Sequence, residues 1–345
     1  MRGYSVELDA SNGGQIFRDA LAFSAITGKK VCLKNIRKRR PKPGLKKQHL
    51  ATLKIMKGLT NAKVRGAYLN SDFVEFDPQK YRGGTYRVNI GSAGSITLLL
   101  QSVMLPALKA ETKLRIVGGT DVPFSPGYNY LKEILLPSIG KTSKCFSLNL
   151  TARGYYPKGE GIIKFESKTG KLGEMRITEK GKLEKIVIYS HTTGNSKSIA
   201  LNQISAAKKV LYEKLGEETK IDEIIDYKNT CINGNGIDII ARFTKTRLGA
   251  SALGIKGKSA TGTGNEAARK ICDEIEKDSA MDKHLLDQLI PFAVVAKGRS
   301  EFLCSKITKH AESAMRTAES FFDVSFAIKE NKNGFRVTVN GVGYD

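Results

Sequence analysis

A short apolar strand, a Gly/Ser-rich turn and an amphipathic helix follow one another three times along this chain. The first copy is Tyr4-Ser5-Val6-Glu7-Leu8, then Ser11-Asn12-Gly13-Gly14, then a helix with Ile16, Ala20 and Phe23 on one face. The second is Tyr86 to Ile90, the turn Gly91-Ser92-Ala93-Gly94-Ser95, and a helix whose apolar stripe is Ile96, Leu99, Leu100 and Val103. The third runs through Gly262-Thr263-Gly264 into a helix with Ala268, Ile271, Cys272 and Ile275 in phase. Spacings of three, four and seven mark helices that bury one face, and their alternation with strands predicts an α/β (α+β) repeat architecture. Near the C-terminus Val324, Phe326 and Ile328 alternate, Asn333-Gly334 turns, and Phe335, Val337 and Val339 alternate again, as a hairpin does. Between Lys180 and Glu276 the texture changes. Lys182 to Lys185 is mostly charged, Thr192 to Lys197 reads as a polar loop, Ile204, Ala207 and Val210-Leu211 mark a helix, and Ile237, Ile239 and Ala241 mark a strand. This segment reads as a small inserted domain, 180–276, within a larger unit of residues 1–179 and 277–345.

Charge narrows the function. From residue 20 to residue 71 there is no Asp or Glu, and the stretch carries fourteen lysines and arginines. The whole chain of 345 residues has a net charge of +23. Cations this dense repel one another unless a polyanion neutralises them, and nucleic acid phosphates are the natural partner. A solvated lysine-rich face would give the same composition. Arg37, Arg39 and Arg40 beside Pro41 and Pro43 favour phosphate, because a guanidinium fork grips two oxygens and proline keeps the segment out of regular helix.

Other classes are disfavoured. The longest apolar candidate, Ile96 to Leu108, is interrupted by Gln101, Ser102 and Pro106 and is too short to span a bilayer. The first residues carry no apolar signal core, so a soluble cytoplasmic protein without a membrane partner is expected. The five cysteines form no CxxC pair and the four histidines no HExxH, so a metal would be held by oxygen ligands or by substrate phosphates. None of the glycine turns is a Walker loop, and each taken alone is more often a helix cap or tight turn than a phosphate cradle.

Two histidines stand at helix starts. Thr308 reads as a cap, which puts His310 in the first turn, where the helix dipole disfavours imidazolium. A neutral imidazole has a free lone pair that can attack phosphorus, although an ordinary helix-start histidine fits the same pattern. His284 precedes Asp287-Gln288, two polar residues within an apolar helix that Pro291 is expected to disturb.

Seven segments, in order and over nearly the whole chain, resemble the RNA 3′-terminal phosphate cyclases. They are Gly13 to Arg18, Ile36 to Leu45 with Gln48-His49-Leu50, Ile90 to Thr97, Gly118 to Pro123, Arg153 to Gly159, Asp287-Gln288-Leu289, and Thr308-Lys309-His310. The resemblance implies three βαβαββ repeats similar to the C-terminal domain of translation initiation factor three, with a small inserted α/β domain. It implies an ATP-dependent enzyme that turns an RNA 3′-terminal phosphate into a 2′,3′-cyclic phosphate, with His310 becoming adenylylated and passing AMP to the RNA end. By the same resemblance Arg18, Arg37, Arg40 and Gln48 line the phosphate and RNA side. His284 and Pro126 sandwich the adenine, Asp287 and Gln288 hold the ribose and its surroundings, and Gln101 lies near the α-phosphate and a divalent metal, Mg or Mn.

The first turn departs from the family pattern Asp-Gly-Ser-x-Gly-Glu-Gly-Gly-Gly-Gln. Here it reads Asp9-Ala10-Ser11-Asn12-Gly13-Gly14-Gln15, which is shorter and lacks the glutamate that lies on the metal side. Asn12 offers an uncharged oxygen in its place, a weaker ligand for a hard cation. A non-catalytic cyclase-like RNA-binding protein of ribosome assembly is the alternative. Such relatives lack the nucleophilic histidine, which His310 supplies here. Enolpyruvyl transfer on a related scaffold fits the basic stretch poorly.

Overall fold

The computed structural model describes residues 6–194, 196–228 and 233–343. The chain is a mixed α+β protein built around four-stranded sheets. Tyr4, Ser5 and Cys231, which figured in the sequence patterns, lie outside the described residues.

The first sheet contains β1 (Val6–Asp9), β2 (Val31–Lys34), β3 (Lys63–Arg65) and β4 (Val74–Asp77), with helix α1 (Gly14–Thr27) after β1 and α2 (Lys47–Thr60) after β2. β1 and β2 run parallel and β4 lies antiparallel between β2 and β3. The second sheet contains β5 (Gly84–Asn89), β6 (Thr112–Gly118), β7 (Phe146–Ala152) and β8 (Gly161–Ser167). Helix α3 (Ile96–Met104) follows β5. After β6 comes a broken helical segment, α4 (Tyr128–Tyr130), a π turn over Leu131–Leu135 and α5 (Leu136–Ser138). The short β9 (Arg176–Ile177) joins a third sheet with β14 (Lys297–Cys304), β15 (Phe326–Asn331) and β16 (Gly334–Val342). In all three sheets the spatial order is first, second, fourth, third strand, with the first two parallel.

Between β9 and β14 the chain makes a fourth sheet from β10 (Leu183–Thr193), β11 (Ile221–Lys228), β12 (Gly234–Phe243) and β13 (Arg247–Leu253), covered by α6 (Lys197–Leu215) and α7 (Ala260–Glu276). Its order is β11-β10-β12-β13. Ile186, Ile188, Ile204, Ala207, Leu211, Ile237 and Ile239 form a hydrophobic cluster there, separate from the larger cluster of the other sheets. Helix α8 (Leu285–Val295) and helix α9 (Lys309–Phe321) complete the chain around β14. α1 packs against α9, α3 and α2, which puts its N-terminus at the meeting point of several segments.

The apolar stripes read from sequence are buried: Ala20, Phe23, Leu99, Leu100, Val103, Ala268 and Ile271 are fully enclosed. Four local expectations shift. Gly262-Thr263-Gly264 is not a turn before a helix but part of its first turns, since Ser259 caps α7 by accepting from the Gly262 amide. The glycine at 264 is required by packing, because a Cβ there would lie 2.2 Å from the Gln203 carbonyl oxygen of α6. Thr192 and Thr193 are buried strand residues that finish β10 rather than loop, as their β-branched side chains allow. The C-terminal hairpin turns at Lys332-Asn333, with Asn331 paired to Gly334, one residue earlier than the Asn-Gly signal suggests. Pro291 does not end α8, which runs on to Val295 among buried neighbours. Proline removes one N–H, so the Asp287 carbonyl four residues back loses its helical partner.

A Gly264→Ala substitution separates intrinsic helix preference from packing. Propensity alone favours alanine by ~1 kcal/mol. The overlap with the α6 backbone costs about 1–3 kcal/mol. Urea unfolding is expected to show a destabilised variant, and a gain in stability would mean that the two helices are free to move apart.

Candidate active site

The N-terminus of α1 begins on Gly13-Gly14, without a side-chain cap. Its free N–H groups face a cavity of about 390 Å³ lined by Asn12, Gly13, Gln15, Ile16, Arg39 and Arg40 on one side and by Lys309, His310, Glu312, Ser313 and Arg316 on the other. Four cations against one carboxylate, added to the positive end of a helix, make this a pocket for an anion. Gly13 lets Arg40 approach: a Cβ there would sit 3.2 Å from its Nη2. Gly13 has φ 149°, in the region that favours glycine.

His310 stands in the first turn of α9, whose cap is Thr308 accepting from the Ala311 amide at 3.1 Å. Partial burial lowers its pKa, and the charges of Arg18 and Arg40 lower it further. The imidazole is therefore held neutral, with a lone pair free at an arginine-lined cavity.

Behind the cavity a relay of polar side chains joins three helices. Arg18 of α1 donates through Nε to Gln101 Oε1 of α3 at 3.1 Å. Gln101 Nε2 donates to Gln288 Oε1 of α8 at 2.9 Å, and Gln288 Nε2 donates to the His284 carbonyl at 2.8 Å. His284 is fixed further by its backbone N–H, which donates to Asp282 at 3.0 Å. Its pKa is lowered by burial and by Lys283, with His310 also contributing. Asp282 in turn accepts from the Tyr130 hydroxyl and the Gly249 amide, so α8 is pinned to α4 and β13.

Sequence reasoning missed two residues here. Asp19 is one, and it shares the neighbourhood of Arg18 with the nominated Asp287. Burial pushes each carboxyl up to about 7, against the pull of the Arg18 charge. Asp19 Oδ2 is buried without a hydrogen-bond partner. The second is His49, buried edge-on to Phe17 with ring centroids 5.1 Å apart. Its Nδ1 accepts from the Lys46 amide at 3.0 Å, and burial followed by the charges of Arg37 and Arg18 drives its pKa down to about 3. A polar residue one position after Arg18 in an otherwise apolar helix, and a histidine beside Gln48, were the only sequence signals for them.

The remaining nominated residues are tied into the surrounding frame by hydrogen bonds. Gln48 Oε1 accepts from the Ser95 amide at 2.8 Å and so holds the glycine turn before α3. Arg37, in left-handed backbone at φ 57°, gives its Nη1 to the carbonyls of Lys42 and Gly44 and shapes the basic loop. Pro126 is tied to the start of α3 by its carbonyl, which accepts from Thr97 Oγ1 at 2.7 Å.

A divalent metal fits the two oxygens nominated for it poorly. Asn12 Oδ1 accepts from Arg39 Nη1 at 3.1 Å and Gln101 Oε1 accepts from Arg18. Both are neutral amides facing guanidinium groups, whereas Mg²⁺ is normally held through carboxylates and phosphates. The mechanism below therefore runs no step through a resident metal.

The model of the RNA 3′-terminal phosphate cyclase family matches residues 10–328. A protein of that name from Staphylothermus marinus is 37% identical over 353 residues, covering 98% of each chain. Another from Archaeoglobus fulgidus is 38% identical over 334 residues, covering 95% of this chain and 98% of that one. A third from Methanosarcina mazei is 36% identical, covering 97% and 99%. Among solved structures, an EPSP synthase from Acinetobacter baumannii overlays at a TM-score of 0.32 with 10% identity, covering 98% of this chain and 65% of that one. An overlay that loose carries nothing about fold or activity.

The raised carboxyl pKa values have a sign that can be tested. Asp19 and Asp287 go from an ordinary value near 3.8 to about 7 on folding. The folded chain thus binds more protons between those limits, and the stability they contribute is complete below the lower value and lost as pH rises through about 7. Asp287→Asn removes one such group, so its Tm is expected to fall less than that of the wild type from pH 4 to pH 8. Parallel curves would mean that Asp287 is ionised throughout.

Proposed function

The chain belongs to the RNA 3′-terminal phosphate cyclase family, and from that premise we propose that it is an ATP-dependent cyclase working through a covalent histidine–AMP intermediate on His310. What carries the reading is the neutral His310 imidazole at the edge of an arginine-lined cavity opposite an uncapped helix N-terminus.

The triphosphate of ATP lies toward the α1 N–H groups, Arg40 and Arg18. A nitrogen lone pair of His310 attacks the α-phosphorus, the bond to the β-phosphate oxygen breaks and pyrophosphate leaves. The guanidinium groups neutralise the charge that builds on the phosphoryl oxygens. An oxygen of the RNA 3′-phosphate then attacks the same phosphorus, the phosphorus–nitrogen bond breaks, and an RNA-adenylate forms with His310 neutral again. Adenylylation masks charge on the terminal phosphate and provides AMP as the leaving group. The adjacent 2′-OH attacks the 3′-phosphorus, loses its proton to solvent and expels AMP, leaving the 2′,3′-cyclic phosphate. His284 and Pro126 take the two faces of the adenine in this reading, and Asp287 and Gln288 the ribose side. Gln101 keeps Arg18 oriented, while Gln48 and Arg37 hold the loops that frame the RNA end. A second depression of about 710 Å³ beside the same basic loop, bordered by Lys38, Lys42 and Lys46, suits the RNA backbone upstream of the reacting end.

The recurring strand order supports three βαβαββ repeats of the initiation-factor type, residues 1–179 and 277–345, with an inserted domain over 180–276. No helix among the described residues is long and apolar enough to cross a membrane, and a cytoplasmic location is part of the same proposal.

The direct assay incubates the protein with ATP and an oligoribonucleotide carrying a 3′-phosphate. Its end is expected to become resistant to phosphatase, and His310→Ala is expected to abolish the conversion. If wild type and variant both leave the end sensitive, the chain is an RNA-binding relative instead. Arg40→Ala is expected to weaken binding of the 3′-phosphorylated oligonucleotide about tenfold, the worth of a charge-assisted hydrogen bond, and to spare one ending in a hydroxyl. Equal losses for both ends would remove the terminal-phosphate pocket.

A further inference from the structure

Two of the segments singled out in the sequence, Gly118 to Pro123 and Arg153 to Gly159, take no direct part in the chemistry above. They meet the fourth sheet at a buried polar cluster. Asp121 follows β6, His191 lies on β10 and Asp238 on β12, and all three are at most 3% exposed. Their ligating atoms lie within 4.8 Å of one another.

Several hydrogen bonds orient these groups and leave particular atoms over. Asp121 Oδ2 accepts from Arg153 Nη1 at 2.9 Å and from Thr120 Oγ1 at 2.7 Å, while its Oδ1 has no partner. Asp238 Oδ2 accepts from Asn129 Nδ2 at 2.8 Å. His191 Nδ1 is bonded to the Tyr155 hydroxyl at 2.7 Å, and its Nε2 carries no hydrogen bond. That nitrogen lies 3.4 Å from Asp238 Oδ2 and 3.9 Å from Asp121 Oδ1. An unbonded ring nitrogen between two buried carboxylates is costly unless a proton on the ring or a metal cation among the three groups neutralises them.

Charge counting gives the size of that cation. Arg153 also donates from Nε to Asp226 Oδ2 at 2.7 Å. Asp121 and Asp226 pair with the one guanidinium and Asp238 faces the imidazole, so three carboxylates set against one arginine leave two negative charges for the ring and a bound ion to answer. Ligands about 2.0–2.1 Å from a tetrahedral zinc stand roughly 3.3 Å apart. The 3.4 Å between His191 Nε2 and Asp238 Oδ2 meets that spacing, and Asp121 Oδ1, 3.9 Å from the ring nitrogen, closes in by about half an ångström on binding. The Tyr155 contact is the outer hydrogen bond that a metal-bound imidazole uses to fix its orientation. The space beside the carboxylates is kept open by Gly127, where a Cβ would lie 2.8 Å from Asp121 Oδ1 and 3.6 Å from Asp238 Oδ1.

We propose that Asp121, His191 and Asp238 form a structural site for a divalent transition-metal ion, clamping β10 and β12 to the loop that follows β6. The ion binds through His191 Nε2 and one oxygen of each aspartate, with Arg153 and Tyr155 supporting the ligands. The site is distinct from the nucleotide cavity, and its test does not depend on the cyclase reading.

The full chain is stripped with a chelator, exchanged into metal-free buffer and titrated with Co²⁺ in the absence of ATP and RNA. A visible d–d absorption that saturates at one equivalent and is displaced by Zn²⁺ is the expected result. It is retained in His310→Ala and lost in His191→Ala and Asp238→Asn. Tyr155→Phe keeps the ring but removes the hydroxyl, and it is expected to weaken binding about 10- to 100-fold. If the ligand variants fail to fold, the wild-type titration and a Zn²⁺-dependent rise in wild-type Tm still decide the matter. No absorption and no rise in the wild type would overturn the proposal and leave a cluster neutralised by a proton. An absorption that survives both ligand substitutions would overturn it by placing the ion elsewhere.

Discussion

The contact between Arg18 and Gln101 ties together the helices behind the arginine-lined cavity. A guanidinium keeps its charge at any pH a protein meets, so a partly buried arginine has to be answered by acceptors. Here the answer comes from two other helices: Gln101 on α3 accepts directly, and Gln288 on α8 holds Gln101 in place. Three segments distant in sequence are thereby fixed with side-chain precision. An apolar contact would bring the helices together without specifying which way the arginine fork points.

The same charge sets the protonation of its surroundings. It draws Asp19 and Asp287 toward ionisation without overcoming burial, and it helps keep His310 neutral. The proposed reaction asks for a nucleophile with a free lone pair and a cationic wall for phosphoryl oxygens, which usually compete, since a carboxylate brought in to orient the histidine would also repel the phosphate. The cavity is compatible with both, with arginines beside His310 and the ring at the positive end of α9, where a proton is least welcome.

Much of this was legible in the sequence, for reasons that differ by residue. The helix start at Thr308 follows from local capping chemistry, and the stripe Leu99-Leu100-Val103 from period alone. Arg18, Gln101 and Gln288 entered by family resemblance, and no local pattern says that they touch. Their meeting depends on how α1, α3 and α8 pack. Asp19 and His49 were overlooked because their unusual protonation comes from burial, which a linear pattern does not report. Gly262 and Gly264 were read as a turn because glycine is a poor helix former. At Gly264 the need for close approach to the Gln203 carbonyl outweighs propensity. The cluster of Asp121, His191 and Asp238 spans more than a hundred positions, and no sequence pattern joins the three.

The proposed reaction requires His310 to form a bond to phosphorus. The most direct measurement incubates the protein with ATP alone, quenches at alkaline pH to protect a phosphoramidate, digests it and maps the AMP adduct by mass spectrometry. AMP attached to the peptide containing His310, with the modification on that imidazole, is the result the structure predicts. Unmodified His310, or an adduct on a lysine of the basic loop, would contradict it.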